Sequence, residues 1–118
     1  PCFTSDYFPT IANILGVDLK KSNRPYDGVD MLPIVNGEVM RRTEPLAFDF
    51  QGQAALIDNE YKIYSDDGGQ HFALYNIRND MSESNNLANE QPEKLNEMVA
   101  YWNQWKESQL MSASGKDY

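Results

Sequence analysis

The sequence predicts an α+β fold, a four-stranded antiparallel sheet packed against a long C-terminal helix and preceded by short helical segments. Two observations support this prediction. Four short apolar runs between residues 46 and 77 are joined by short polar turns, which favours antiparallel neighbours. Between residues 91 and 110, apolar side chains recur at three- and four-residue spacings, which is typical of a helix with one buried face.

The four predicted strands end at residues that are typical of turns. Leu46, Phe48 and Phe50 alternate with small or polar residues, as in a half-buried strand. Asp58-Asn59 follows the second run, and Asp-Asp-Gly-Gly at 66–69 follows the third. We therefore expect strands at 46–50, 54–57, 61–64 and 72–77.

The C-terminal helix is predicted from a stripe of large apolar residues. The stripe consists of Leu95, Met98, Val99, Trp102 and Trp105. Because proline is tolerated in a first helical turn, Pro92 fits a helix that starts near residue 91 and ends near 110. Residues 111–118 are small and polar, and we expect them to form a flexible tail.

Two short helical segments are expected before the sheet. In residues 5–17 four apolar residues share one face, and Gly16 ends the helix. These four are Phe8, Ile11, Ile14 and Leu15. Residues 30–37 form one helical turn, with Asp30 as its cap and Gly37 as its stop. Because no sheet is predicted next to the first helix, we expect its apolar face to be an exposed patch that self-association buries.

Composition limits the function. A chain of 118 residues suffices for one small domain, and its first residue, Pro1, leads us to expect a longer parent protein. The net charge of −8 argues against nucleic-acid binding, because phosphates would repel such a surface. No apolar run is long enough to span a membrane. A single cysteine, Cys2, cannot form an internal disulfide.

Residues 72–88 carry a distinctive pattern. It reads Leu74-Tyr75-Asn76-Ile77, Asn79-Asp80-Met81, Glu83 and Asn86-Leu87-Ala88. This pattern resembles the Leu-Tyr-Asp-Leu, Asn-Asp-Pro, Glu, Asn-Leu-Ala signature near the carboxyl end of sulfatases. We read the segment as a strand, a tight turn and an anchored loop, in which Ser82 caps a short helical turn.

Other segments resemble the same family in the same order along the chain. They are Asp6, Pro9-Thr10-Ile11 and Leu15-Gly16-Val17; Asp27-Gly28, Leu32-Pro33 and Gly37-Glu38; and Tyr61-Lys62. The chain departs from the family at Met81, where proline is usual, and in the turn after the first strand. There Phe50, Gln53 and Ala54 replace a His, an Asn and an Arg, and a phenylalanine cannot pair with a sulfate oxyanion.

The resemblance implies that the chain is the C-terminal portion of a sulfatase of the arylsulfatase family, within the alkaline phosphatase superfamily. Residues 1–30 would trail from the catalytic α/β domain, and residues 31–110 would form the C-terminal subdomain, which supports the catalytic domain and borders its cleft. The parent would hydrolyse sulfate esters with a formylglycine and a calcium ion, both held by its N-terminal domain. The family resemblance also suggests a periplasmic or secreted location.

No catalytic or metal-ligating residue is predicted in the chain itself. The residues after Cys2 do not match the sequence around a sulfatase nucleophile, and Asp66-Asp67 lacks the alternating oxygen ligands of a calcium loop. His71 has no second His or Cys nearby. We expect no cofactor in this chain and no aryl sulfate turnover by it. Five residues are candidates for the border of the substrate cleft: His71, Gln51, Gln53, Arg41 and Arg42.

Three alternatives stay open at the level of sequence. The parent could be a phosphonate or phosphodiester hydrolase of the same superfamily. The chain could instead be a stand-alone module that binds a carbohydrate or a protein through exposed aromatic side chains. It could also be a structural domain that dimerises through the apolar face of its first helix.

Overall fold

The computed structural model describes residues 1–21 and 26–115, and the chain divides into two compact units, Pro1–Glu44 and Pro45–Tyr118. The polar connector predicted at 19–30 lies partly outside the described residues, as does the end of the predicted tail. The α+β architecture is confirmed, with short helices in the first unit and the sheet and long helix in the second. That residues 1–30 trail from a catalytic domain stays a prediction.

The first unit contains helices α1, Tyr7–Ile14, and α2, Leu32–Val35. A 3₁₀ turn at Thr4–Asp6 precedes α1, so the start of the expected single helix is wound more tightly. After α1, Gly16 has a φ of 70°, which suits a glycine at a helix end. Asp30 does act at the start of α2, because its Oδ1 accepts a hydrogen bond from the N–H of Leu32 at 2.9 Å.

Gly28 explains one of the family-like segments of the first unit. Its φ is 107°, and a Cβ atom added to it would collide with the backbone carbonyl of Ser5. Only glycine allows the backbone of the connector to approach the start of the chain this closely. A second tie is the Thr10 hydroxyl, which accepts a hydrogen bond from the N–H of Met31 at 2.9 Å.

The second unit is a four-stranded antiparallel sheet in the order β1-β2-β3-β4, followed by helix α3, Pro92–Ala113. The strands are β1, Leu46–Phe50; β2, Gln53–Asp58; β3, Tyr61–Ser65; and β4, Ala73–Asn76. The predicted strands, their order and their antiparallel pairing are confirmed. Helix α3 extends three residues beyond the predicted end, so the tail predicted from residue 111 begins later.

The core of the second unit lies between α3 and one face of the sheet. Cross-strand neighbours Leu56, Ile63 and Leu74 are fully buried there. From α3, Met98 and Trp102 fill the space above them. The predicted apolar stripe of α3 is thus a core face, and the indole N–H of Trp102 donates to the carbonyl of Phe48 at 3.1 Å.

The segment after β4 differs from the prediction in one detail. Ser82 does not cap a helical turn, because residues 78–88 form a series of turns without a helix. Asp80 organises them instead: its carboxylate accepts hydrogen bonds from the hydroxyls of Ser82 and Ser84 and from the N–H of Asn85 at 2.8 Å. A carboxylate can accept several donors at once, whereas a serine hydroxyl cannot, and these bonds lower the pKa of Asp80.

Candidate functional site

Three of the five candidate residues, Gln51, Gln53 and His71, lie at one end of the sheet. The β1–β2 turn and the β3–β4 loop both leave the sheet at this end. A hydrogen bond of 2.8 Å from the N–H of Gly68 to the carbonyl of Gly52 joins them directly. The fold therefore brings together residues that are about twenty positions apart in the sequence.

The β1–β2 turn is a two-residue hairpin turn with an unusual first residue. Gln51 has a φ of 51° and Gly52 a φ of 80°, so both central residues occupy the left-handed region. Glycine, asparagine and aspartate are the residues that favour this conformation, and glutamine is not among them. On the strand before the turn, Phe50 pairs with Gln53 and is 70% exposed.

Asp67 organises the β3–β4 loop. Its Oδ1 accepts hydrogen bonds from the Ser65 hydroxyl at 2.6 Å and from the N–H groups of Gln70 and His71 at 2.9 and 3.0 Å. Its Oδ2 lies 2.6 Å from Nδ1 of His71. The Ser65 hydroxyl and the two His71 contacts hold the pKa of Asp67 well below its usual value. The imidazole of His71 is thereby held at Nδ1 while its ring stays exposed.

The base of this loop is rigidly packed. The hydroxyl of buried Ser65 also accepts a hydrogen bond from the N–H of Gly69 at 3.0 Å. Gly69 has a φ of 87°, and a Cβ atom added to it would lie 2.8 Å from the ring of Trp102. The ring of Phe72 meets Trp102 edge to face with centroids 5.3 Å apart. A buried aromatic floor therefore supports a loop whose polar tips face solvent.

The other two candidates, Arg41 and Arg42, belong to the first unit. Arg41 is exposed, whereas Arg42 is buried and makes a two-pronged ion pair with Asp6. Its Nη1 and Nη2 atoms lie 2.6 and 2.8 Å from the two oxygens of the Asp6 carboxylate. Nε of Arg42 donates to the carbonyl of Glu44 at 2.6 Å. Arg42 thus has a structural role that its sequence context did not reveal.

Asp6 connects four separate points of the first unit. Besides Arg42, its carboxylate accepts hydrogen bonds from the N–H of Phe3 at 2.7 Å and of Val29 at 2.9 Å. Burial raises the pKa of Asp6, but the Arg42 guanidinium and these two N–H groups outweigh that effect and lower the pKa to about 2. Asp6 is one of the family-like residues, and its position explains why an aspartate is needed there.

The signature at 72–88 proves to be structural. Asn86 accepts hydrogen bonds from the N–H groups of Leu74 and Ala88 through one Oδ1 atom, at 3.1 and 3.0 Å. The N–H of Leu87 donates to the carbonyl of Leu74 at 2.8 Å, so this segment covers the outer edge of β4.

An ion pair links the signature to the aromatic-Lys segment of the third strand. Nζ of Lys62 lies 2.6 Å from the carboxylate of Glu83, and both side chains are partly buried. Glu83 has a φ of 54°, so the chain reaches this contact through a left-handed residue. The family-like residues of the second unit therefore fix how the loop folds back onto the sheet.

The described residues contain no group of three His, Cys, Asp or Glu side chains that could hold a metal ion. Cys2 is exposed and in the thiol form. Over the same described ranges, no helix has the length and apolar character needed to cross a bilayer. The geometry at the end of the sheet is suited to binding rather than to bond cleavage, because no nucleophile with an adjacent base is found there.

Comparisons with known proteins agree with this picture. No protein-family model matches the chain. Its sequence is 34% identical over 55 residues to choline-sulfatase of Rhizobium meliloti (strain 1021), which is 47% of this chain and 10% of that protein. The crystal structure of the carrageenan sulfatase Ps i-CgsB in complex with k-i-k-neocarrahexaose matches with a TM-score of 0.70 and 28% identity over 85% of this chain. The fold is that of a sulfatase C-terminal subdomain.

The extent of these matches is equally informative. The chain spans 23% of the Ps i-CgsB structure and about a tenth of choline-sulfatase. A sulfatase of Bacteroides thetaiotaomicron, described in connection with the metabolism of multiple glycosaminoglycans, matches with a TM-score of 0.66 over 86% of this chain and 24% of its own. At 22% identity, that last similarity concerns the fold alone. The resemblance to the C-terminal portion of sulfatases is confirmed.

Proposed function

We propose that this sulfatase subdomain is catalytically inert by itself, and that it supports the catalytic domain of a sulfate ester hydrolase and borders its substrate cleft. The observation that carries the proposal is the uncovered apolar face of α1. Its four apolar residues, the α1 face, are Phe8, Ile11, Ile14 and Leu15. They are between 54% and 71% exposed. An apolar face of this kind marks a surface that another protein surface covers.

The chemistry of the described residues supports the same division of labour. Sulfatase chemistry would require a formylglycine and a calcium ion, and the described residues offer neither a metal-binding group nor a cysteine in a matching sequence context. These groups would belong to the catalytic part of the parent protein. The role of this chain would be to hold that part in place.

The candidate residues divide between two roles in this proposal. Gln51, Gln53 and His71 would border the cleft, because they are exposed at one end of the sheet. Arg42 would act on the cleft only through the fold of the first unit, since its guanidinium is held by Asp6. Arg41, which precedes it and is exposed, is the arginine placed for direct contact with a substrate.

The test measures association and turnover separately. The chain alone should not hydrolyse 4-nitrocatechol sulfate, and turnover by the chain alone would contradict the proposal. In sedimentation experiments, the chain should bind the catalytic part of the parent produced as a separate polypeptide. Leu15→Asp should weaken this association at least about tenfold, because burying one leucine contributes roughly 1.5–3 kcal/mol and a charge would oppose its burial.

Leu110→Asp is the matched control for this test. Leu110 is exposed to a similar degree but lies on α3 in the second unit. The same substitution should leave association unchanged there. If Leu15→Asp abolishes self-association of the chain and has no effect on binding to the catalytic part, the α1 face is a dimer surface instead.

A further inference from the structure

We propose that the end of the sheet is a subsite for the uncharged, hydroxyl-bearing face of a sugar unit in a glycan. The subsite, called the hairpin edge, consists of Phe50, Gln51, Gln53, Gln70 and His71. This inference deepens the proposed function, since it names what the cleft border of the subdomain recognises. It rests on three features of the second unit: convergence, backbone strain and side-chain chemistry.

The first feature is convergence onto a rigid support. The Gly68–Gly52 hydrogen bond holds the β1–β2 turn and the β3–β4 loop side by side. Asp67 fixes the backbone at Gln70 and His71, and the ring of Trp102 supports the loop from below. A binding surface whose backbone is already ordered pays little conformational entropy when a ligand binds.

The second feature is the left-handed conformation of Gln51. A residue other than glycine, asparagine or aspartate in this region costs about 1–2 kcal/mol, and the next residue, Gly52, shows that the turn itself does not require a side chain. The structure gives the Gln51 side chain no stabilising role in the described fold that would offset this cost. Strain that the fold does not use is typical of a residue retained for binding.

The third feature is the chemistry of the five side chains. Three of them are primary amides, each with two N–H donors and one carbonyl acceptor, which match the paired donor and acceptor character of sugar hydroxyls. Phe50 adds an exposed aromatic surface next to them. Lysine and arginine are absent from the edge, and the nearby Lys106 is engaged by Asp49 at 3.0 Å. A sulfate group would find little positive charge here, whereas an uncharged sugar face would.

The experiment titrates the whole 118-residue chain with defined oligosaccharides and follows backbone amide NMR signals. The probes are hexasaccharides of galactose, fucose and xylose, each in an uncharged and a sulfated form. At least one uncharged probe should shift the signals of Gly52, Gly68 and His71. Its dissociation constant should change less than about threefold between 20 and 200 mM salt, because the contact contains no ion pair. Binding only of sulfated probes, or loss of binding at high salt, would overturn the proposal.

Gln51→Gly separates binding from folding. Glycine adopts the left-handed conformation without strain, so the variant should melt at or above the temperature of the wild type. Binding should nevertheless weaken about fivefold, because one amide contact is lost. Phe50→Ala should weaken binding similarly, and Phe8→Ala on α1 is the control that should leave it unchanged. Unaltered binding in both edge variants would refute the subsite.

Failure of this inference is distinguishable from failure of the proposed function. Loss of the sugar-dependent NMR shifts concerns the second unit alone and leaves the association measured through Leu15→Asp untouched. Conversely, a chain that binds uncharged sugars but never associates with a catalytic part would be a stand-alone carbohydrate-binding module.

Discussion

Removing one partner of the buried Asp6–Arg42 ion pair should unfold the first unit selectively. Arg42→Ala leaves the Asp6 carboxylate 1% exposed without its counter-charge. Breaking a buried pair in this way costs about 3–5 kcal/mol, which is a large part of the stability of a small unit. The two N–H groups that Asp6 also binds, those of Phe3 and Val29, should lose their protection at the same time.

The pH dependence of the same pair follows from the sign of the pKa shift. Asp6 has a pKa of about 2 in the folded chain and 3.8 as a free side chain, so it stabilises the fold above pH 3.8. This contribution is lost as the pH falls through 3.8 towards 2, and it amounts to about 2 kcal/mol. In Arg42→Ala the pKa of Asp6 should rise, because burial is then opposed only by the two N–H groups.

Hydrogen exchange measured by mass spectrometry on peptides covering residues 1–21 and 26–35 reports on this unit without interference from the sheet. Arg41→Ala is the control, since a substitution at an exposed neighbouring arginine should change stability by less than about 0.5 kcal/mol. A double variant, Asp6→Leu with Arg42→Met, should be less destabilised than Arg42→Ala because no buried charge remains. Exchange in Arg42→Ala that matches the wild type at pH 7 would refute the reasoning.

Two further predictions concern the second unit and can be checked by urea unfolding followed through tryptophan fluorescence. Gly69→Ala should cost about 2–4 kcal/mol, because its Cβ would lie 2.8 Å from the Trp102 ring at a positive φ, whereas Gly68→Ala at a φ of 79° meets open space and should cost about 1 kcal/mol; equal losses would mean that the ring contact is unimportant. Asn86→Leu should cost about 1–3 kcal/mol because the buried N–H of Leu74 loses its acceptor. Asn86→Asp keeps the acceptor oxygen and should restore most of that stability, and a failure to do so would assign the loss to another cause.

The predicted strands and the stripe of α3 were accessible from sequence because they depend on local periodicity. Alternation in Leu46, Phe48 and Phe50 gives the β1 pattern directly, and the spacing of Met98 and Trp102 gives the buried face of α3. The end of α3 was less accessible, since no glycine or proline stops the helix near residue 110. The role of Ser82 was wrong because the sequence cannot show that the stronger acceptor, Asp80, reaches the same donors.

The candidate site was only partly accessible from sequence. Gln51, Gln53 and His71 were named as separate candidates, but their gathering at one end of the sheet depends on the pairing of the Gly68 and Gly52 backbones. The structural role of Arg42 could not be predicted, because its partner, Asp6, lies 36 positions away. Contact between any of the five candidates and a substrate stays a prediction.

By itself, the sequence determined the fold class, the antiparallel order of the strands and the resemblance to the C-terminal portion of sulfatases. These rest on patterns of neighbouring residues and on the order of short segments. Only the tertiary structure decided which side chains of those segments serve the fold and which face solvent. The physical reason is that ion pairs such as Asp6–Arg42 and Lys62–Glu83 form between residues that only the folded backbone brings within bonding distance.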